Sequence, residues 1–219
     1  MSSAGGPRAR SAGRFERRLV LMVKSPEAGR VKTRLARQIG VVAATQFYRR
    51  ESASTLARLA ADARWCTLLA VAPRPALGSR HWPRRFARLD QGQGDLGARM
   101  QAVFDLLPPG PVVIVGTDIP GLRPAHIEAA FRALGTADAV FGPAGDGGYW
   151  LVGLRRRPRV PRAFRGVRWS HPETLADNRA ALAPLAVAMV ATLNDVDDAD
   201  EWRAARAISG RRVLPASFV

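Results

Sequence analysis

Apolar positions along the chain follow two rhythms. Short unbroken runs occupy residues 19–23, 65–72, 112–115, 139–141, 149–154 and 186–193 and predict strands. Residues 31–39, 41–61, 95–107, 124–134, 172–182 and 197–208 instead carry apolar side chains at the three- and four-residue spacing of helices. Val112–Val115 is fully apolar, as expected of a strand in the middle of a parallel sheet covered on both faces. Strands alternating with helices over most of the length predict an α/β fold with a mostly parallel sheet and helices on both faces. Residues 74–88 read only as an irregular basic segment. Neither a repeat nor a boundary divides residues 18–219, so one domain is expected there.

The first apolar run empties into an abrupt change of character. Lys24, Pro26, Gly29, Arg30, Lys32 and Arg34 form a cationic turn at the mouth of a helical segment. Backbone N–H groups and the positive end of a helix suit an anion there, and the side chains neutralise the rest, so the loop reads as a phosphate cradle. Of 34 basic residues only Lys24 and Lys32 are lysines. Arginine serves everywhere else, which suggests that these two positions need a compact ammonium rather than a planar fork. The loop is not a Walker A motif, because Val31 stands where the glycine before Lys-Thr belongs.

In a parallel sheet, ligands bind beyond the carboxyl ends of the strands, which places the segments after Val23, Val115 and Leu193 on one rim. Asp118 follows the central strand by two residues and faces the phosphate loop from there. With Asp195 or Asp197 it offers the carboxylates that Mg²⁺ takes alongside substrate phosphates. Asp197 together with Asp200 or Glu201 also reads as a helix cap. Asp146, Gly147 and Gly148 lie in a glycine-dense turn before Tyr149 and Trp150, where close backbone approach and a stacking wall would suit an acceptor. Trp169 would close that side.

The net charge of +16 is compatible with nucleic acid, an anionic membrane or anionic small substrates. The arginines are spread along the whole chain and no aromatic-plus-basic motif accompanies them, which argues against nucleic acid, although a noncatalytic RNA binder remains an alternative. A single cysteine, Cys66, excludes disulfides and cysteine metal sites, and its apolar surroundings predict a buried thiol. No run approaches the roughly 20 apolar residues of a membrane span, and a cytoplasmic protein is expected. Residues 1–17, rich in Arg, Ser, Ala and Gly, read as a disordered basic tail. Gly92, Gly94 and Gly97 match the dinucleotide fingerprint G-x-G-x-x-G, with Asp118 about 20 residues on, so an NAD(P)-dependent oxidoreductase is a further alternative. The preceding residues, with Arg84, Arg85, Arg88 and Asp90, lack the buried apolar strand that such a site requires.

The segments KSPEAGRVKTRLA, GDLGARM, VVIVGTDIP, VFGPAGDGGYWLVGL and LNDVD together resemble the bacterial DUF2064 family, also called radical-SAM/selenodomain-associated transferase 1. The resemblance spans about residues 18–203. It implies the GT-A nucleotide-diphospho-sugar transferase superfamily and hence a GT-A-like, Rossmann-like domain. Lys32–Leu35 and the Asp-x-Pro of Asp118–Pro120 are more similar to guanylyl- and cytidylyltransferases than to sugar transferases, and Gly116 replaces the first acid of the Asp-x-Asp found in many glycosyltransferases. The resemblance implies a transferase that depends on Mg²⁺ or Mn²⁺ and takes a nucleotide donor and a small-molecule acceptor. Nucleotidyl transfer from a nucleoside triphosphate to a phosphate or phosphonate is favoured, with glycosyl transfer from a nucleotide sugar as the alternative. On this reading Lys24, Gly29, Arg30, Lys32 and Arg34 hold the phosphates, Gly94 and Asp95 the nucleoside, and Asp118, Asp195 and Asp197 the metal. Lys32, Arg30 and Asp146 take part in the chemistry, and Asp146, Gly147, Gly148, Tyr149, Trp150 and Trp169 face the acceptor.

Overall fold

In the first strand, β1 (Arg18–Lys24), Leu19, Leu21 and Val23 face one core while Val20 and Met22 face another. Successive strand side chains point to opposite faces, so an unbroken apolar run is what a strand buried on both sides requires. The computed structural model describes residues 16–156 and 159–210, the last five for their backbone only. The expected tail therefore lies outside the described residues except for Glu16 and Arg17. Arg17 pairs with Glu128 at 2.9 Å, and Glu16 with Arg18 at 3.1 Å.

After β1 come α1 (Thr33–Ile39), α2 (Val41–Ala60), β2 (Cys66–Ala72), a 3-10 turn (Arg74–Gly78), β3 (Ala87–Asp90), α3 (Leu96–Leu106) and β4 (Val112–Val115). Then follow α4 (Pro124–Ala133), β5 (Ala139–Pro143), β6 (Tyr149–Leu154), α5 (Thr174–Ala181), β7 (Val187–Met189) and α6 (Ala199–Gly210). The strands make one seven-stranded sheet in the order β3-β2-β1-β4-β6-β5-β7. Only β6 runs against its neighbours β4 and β5; every other pairing is parallel. Chain order reverses between β1 and β4, and the carboxyl ends of these two strands open there, at the switch point where such sheets bind ligands.

One core holds Leu56 and Leu59 of α2 with Ile127, Ala130 and Phe131 of α4; the other holds Met100, Val103 and Phe104 of α3 with Phe141 and Val152. A third, smaller cluster of Leu35, Ala44, Val196 and Ala205 joins α1, α2 and α6. The architecture is thus the α/β fold anticipated from the sequence, with helices on both faces.

Three expectations need correction. The basic segment hides β3, a half-exposed edge strand without an apolar run, which pairs parallel to β2 through Leu68–Val71. Arg88 of that strand is tied through its guanidinium to the carbonyls of Ser79 at 3.0 Å and Trp82 at 2.6 Å. Cys66 is exposed rather than buried, because it opens β2 at the sheet's lip. The last strand ends at Met189, yet Val190 N–H and Leu193 N–H still donate to Phe141 O and Pro143 O, so residues 190–193 continue along β5 toward the rim.

Candidate active site

The loop after β1 is built before any side chain acts. Ser25 N–H donates to Ala72 O at 2.7 Å and Arg30 N–H to Glu27 O at 3.0 Å, while Tyr48 of α2 accepts from Lys24 N–H at 2.8 Å and Arg49 donates to Pro26 O at 3.2 Å. Gln91, buried at the end of β3, donates to Val23 O at 2.9 Å and Ala70 O at 2.8 Å and so ties the ends of β1 and β2 together. Lys32 then adopts a left-handed backbone, φ 46° and ψ 48°, immediately before α1. A non-glycine residue there costs on the order of 1 kcal/mol and persists only when its surroundings hold it.

They do so through its ammonium. Lys32 Nζ lies 2.7 Å from Asp118 Oδ2, 2.8 Å from Asp197 Oδ1 and 3.4 Å from Asp195 Oδ2, and its side chain is only 5 % exposed. Burial by itself would lower the lysine pKa; the three carboxylates reverse this and hold it raised. Asp195 is pushed up to about 6 by burial, with Lys32 opposing and Asp197 and Asp118 adding to the shift. Asp197 moves the other way: burial works against it, but the closer Lys32 and the guanidinium of Arg34 keep it ionised at lower pH.

Each acid is placed by its element. Asp118 leaves the end of β4, where the neighbouring Thr117 hydroxyl meets Ser52 of α2 at 2.9 Å. Asp195 and Asp197 flank Val196, which is 3 % exposed and anchored in the Leu35 cluster. The cap of α6 is made by Asp198, whose Oδ1 accepts from Asp200 and Glu201 N–H, while Glu201 accepts from Asp197 and Asp198 N–H. Capping thus falls to Asp198 and not to Asp197, whose carboxylate turns to Lys32.

Three spaces lie at or beside this cluster. A hollow of about 460 Å³ is lined by Lys24, Gly29, Arg30, Arg74, Gly92, Gln93 and Arg99. A recess carries Lys32, Thr33, Arg34 and the three aspartates, and shares Thr33 with the hollow. A cleft of about 280 Å³ shares Arg34, Asp118, Asp195 and Asp197 with that recess and is lined further by Asp146, Gly148, Tyr149, Trp150 and Trp169. The single cationic cradle read from the sequence is therefore divided, with Lys24, Gly29 and Arg30 on one side and Arg34 on the other.

Several anticipated residues have local duties. Asp95 caps α3 by accepting from Ala98 N–H at 2.8 Å, and Gly94 O accepts from Arg99 Nε; neither borders the hollow, whereas Gly92 and Gln93 do. Asp146 Oδ1 accepts from Gly148 N–H at 2.9 Å, which shapes the turn. Gly147, at φ +86°, lies so close to Pro172 that a Cβ would sit 2.0 Å from its carbonyl oxygen, and it packs there without lining the cleft. Trp150 borders the cleft but packs in the α2/α4 core, donating from its indole to Ala191 O at 2.9 Å. Arg30 pairs with Glu27 at 3.3 Å. Tyr48, Gln91, Gln93, Arg74, Arg99 and the Ser52–Thr117 contact were not anticipated, since nothing in their local sequence distinguishes them.

The donor set at Lys32 consists of hard carboxylate oxygens suited to Mg²⁺ or Mn²⁺. Among the described residues no group of three or more His, Cys, Asp or Glu is arranged to hold a metal ion. The three acids converge on an ammonium, so a divalent cation would take them over from Lys32. Also among the described residues, no helix is long and apolar enough to cross a membrane.

None of the curated proteins matches the chain significantly. A crystal structure from Desulfovibrio desulfuricans G20, provisionally assigned as a nucleotide-diphospho-sugar transferase, is 31 % identical with a TM-score of 0.70, covering 84 % of this chain and 83 % of that one. The CMP:2-keto-3-deoxy-manno-octonic acid synthetase, solved with CTP, shares the fold at 13 % identity and a TM-score of 0.57, over 90 % of this chain and all of that one. Rv0371c from Mycobacterium tuberculosis H37Rv, solved with manganese, does so at 14 % identity and 0.52, over 87 % and 97 %. The model of the family described as an uncharacterized protein conserved in bacteria (DUF2064) matches residues 55–171. By that match, which covers more than half of its length, the chain belongs to the DUF2064 family.

Proposed function

We propose that the protein is a metal-dependent transferase of the GT-A type that takes a nucleotide donor, with nucleotidyl transfer from a nucleoside triphosphate favoured over glycosyl transfer from a nucleotide sugar. The observation that carries this reading is the meeting of Lys32 with Asp118 at 2.7 Å across the switch point. Beside it, Lys24, Arg30, Arg74 and Arg99 border one hollow, a concentration of cations suited to a polyphosphate. The CTP complex of the structurally similar synthetase and the Desulfovibrio relative support a nucleotide-using transferase. The manganese complex of Rv0371c supports a metal.

Asp118, Asp195 and Asp197 would hold the divalent cation, which when bound supplies Lewis acidity and neutralises phosphate charge. In this assignment Arg30 and Lys24 bind the donor phosphates, with Gly92 and Gln93 bordering the nucleoside side and Gly94 and Asp95 shaping the turn behind them. Lys32, released from its acids, meets the charge that develops on the α-phosphate. A lone pair on the acceptor oxygen forms the new bond to the α-phosphorus. The bond from that phosphorus to the bridging oxygen breaks, its electron pair departs with pyrophosphate, and Asp146 takes the acceptor proton.

The donor class is tested by melting temperature. A nucleoside triphosphate with Mg²⁺ raises it by several degrees while UDP- and GDP-sugars do not. The reverse pattern retires nucleotidyl transfer in favour of glycosyl transfer.

A further inference from the structure

The cleft between Asp118 and Trp169 is chemically lopsided. Its floor is apolar: Met22, Ile114 and Val152 from three adjacent strands meet Leu96 and Met100 of α3. One wall is aromatic. Trp169 lies against α3 because Gly97 leaves room for it, a Cβ at that position falling 2.4 Å from the indole. Tyr149 stands edge-on to Phe141 with ring centroids 4.9 Å apart, and its hydroxyl meets Asn178 at 3.5 Å. Burial raises the Tyr149 pKa, so the wall stays uncharged.

Charge around the cleft is equally one-sided. Asp118, Asp146, Asp195 and Asp197 border it, and Arg34 supplies the guanidinium. Arg168, close in sequence to Trp169, is held by Asp177 through contacts of 2.7 and 2.8 Å and does not border the cleft. Even with Lys32 and one divalent cation counted, these groups reach only neutrality, and Lys24, Arg30, Arg74 and Arg99, which offset the donor phosphates, border the hollow and not the cleft. A phosphate or phosphonate entering here would lose its hydration and meet like charges within a few ångströms.

We infer that the acceptor is a small molecule with an apolar or aromatic body and no anionic group, which reacts through a hydroxyl. This rests on the nucleotide-donor reading and replaces the phosphate or phosphonate acceptor expected from the sequence. The body lies on Met22, Ile114 and Leu96 against the Trp169 face, and the hydroxyl reaches toward Asp146 and the acid cluster. A cleft of about 280 Å³ suits such a molecule, at the low end of small-ligand sites.

Calorimetric titration of the full chain with 2-phenylethanol and 2-phenylethyl phosphate, in Mg²⁺ and without nucleotide, tests this. The alcohol binds about tenfold tighter than its phosphate ester, and Trp169→Ala weakens the alcohol about fivefold while Trp169→Phe restores most of it. The inference is overturned if the ester binds as tightly as the alcohol, if neither binds up to about 10 mM, or if Trp169→Ala leaves the alcohol unaffected. The comparison of the two probes on the unmodified protein requires no variant to fold. Because nucleotide is absent, failure here leaves the melting shift with triphosphate intact, and failure of the donor reading shows in that shift alone.

Discussion

A buried lysine surrounded by three aspartates carries an unequal charge balance. The excess negative charge has a consequence for pH. The Asp195 carboxyl, raised from 3.8 to about 6 by burial, with the neighbouring acids outweighing part of the pull of Lys32, keeps its proton in the folded chain at pH values where the unfolded chain has lost it. The contribution is therefore fully present below about pH 4 and is lost as pH rises through about 6. Asp195 is 39 % exposed, so solvent screening reduces the effect to about 1 kcal/mol. In a chelator, Asp195→Asn should melt higher than the parent at pH 7, and the difference should vanish near pH 4; an identical pH profile in both would contradict the assignment. The variant gives up a proposed metal ligand for that stability, the trade expected of a functional site. At this scale the sequence made Lys32 and Asp118 legible, since both are odd among their neighbours, a rare lysine and an acid after a wholly apolar strand. The division of labour between Asp197 and Asp198 was not legible, because either spacing satisfies a helix cap and only the packing of Val196 decides which one turns inward.

Elements transmit the site's geometry. The third cluster, with Leu35 fully buried against Ala44, Val196 and Ala205, is what brings the residues after β7 onto α1. Leu35→Ala should cost about 3 kcal/mol in urea unfolding, and by loosening Val196 it should also shrink any nucleotide-dependent melting shift. Leu106→Ala, at an exposed position on α3, should change stability by less than about 0.5 kcal/mol. Equal losses in the two variants would mean that the cluster does not hold α1 to the chain after β7. Strands with continuous apolar runs were readable because burial on two faces leaves a plain signal. β3 was not, since an edge strand carrying Arg88 and Asp90 is held by pairing with β2 and by guanidinium contacts to carbonyls, neither of which has an apolar period. The last strand was read too long because residues 190–193 follow β5 without completing a ladder.

Taken whole, the molecule places Asp118, Asp195 and Asp197 and its only two lysines at one rim of the sheet, while its arginines are spread along the whole chain. A positively charged exterior draws anions generally, whereas the hollow bordered by Lys24, Arg30, Arg74 and Arg99 gathers four cations in one place. The fold class followed from the alternation of strands and helices. The division into a cationic hollow and an apolar, acidic cleft did not, because Gly92, Gln93 and Arg99 reach the first only through the pairing of β3 with β2. Binding of a nucleotide at the Lys32 cluster is read from the Mg²⁺-dependent melting shift that a nucleoside triphosphate gives, in the parent chain and in Lys32→Ala. A shift of several degrees is expected in the parent and none in the variant; a shift of equal size in both means that the nucleotide binds elsewhere.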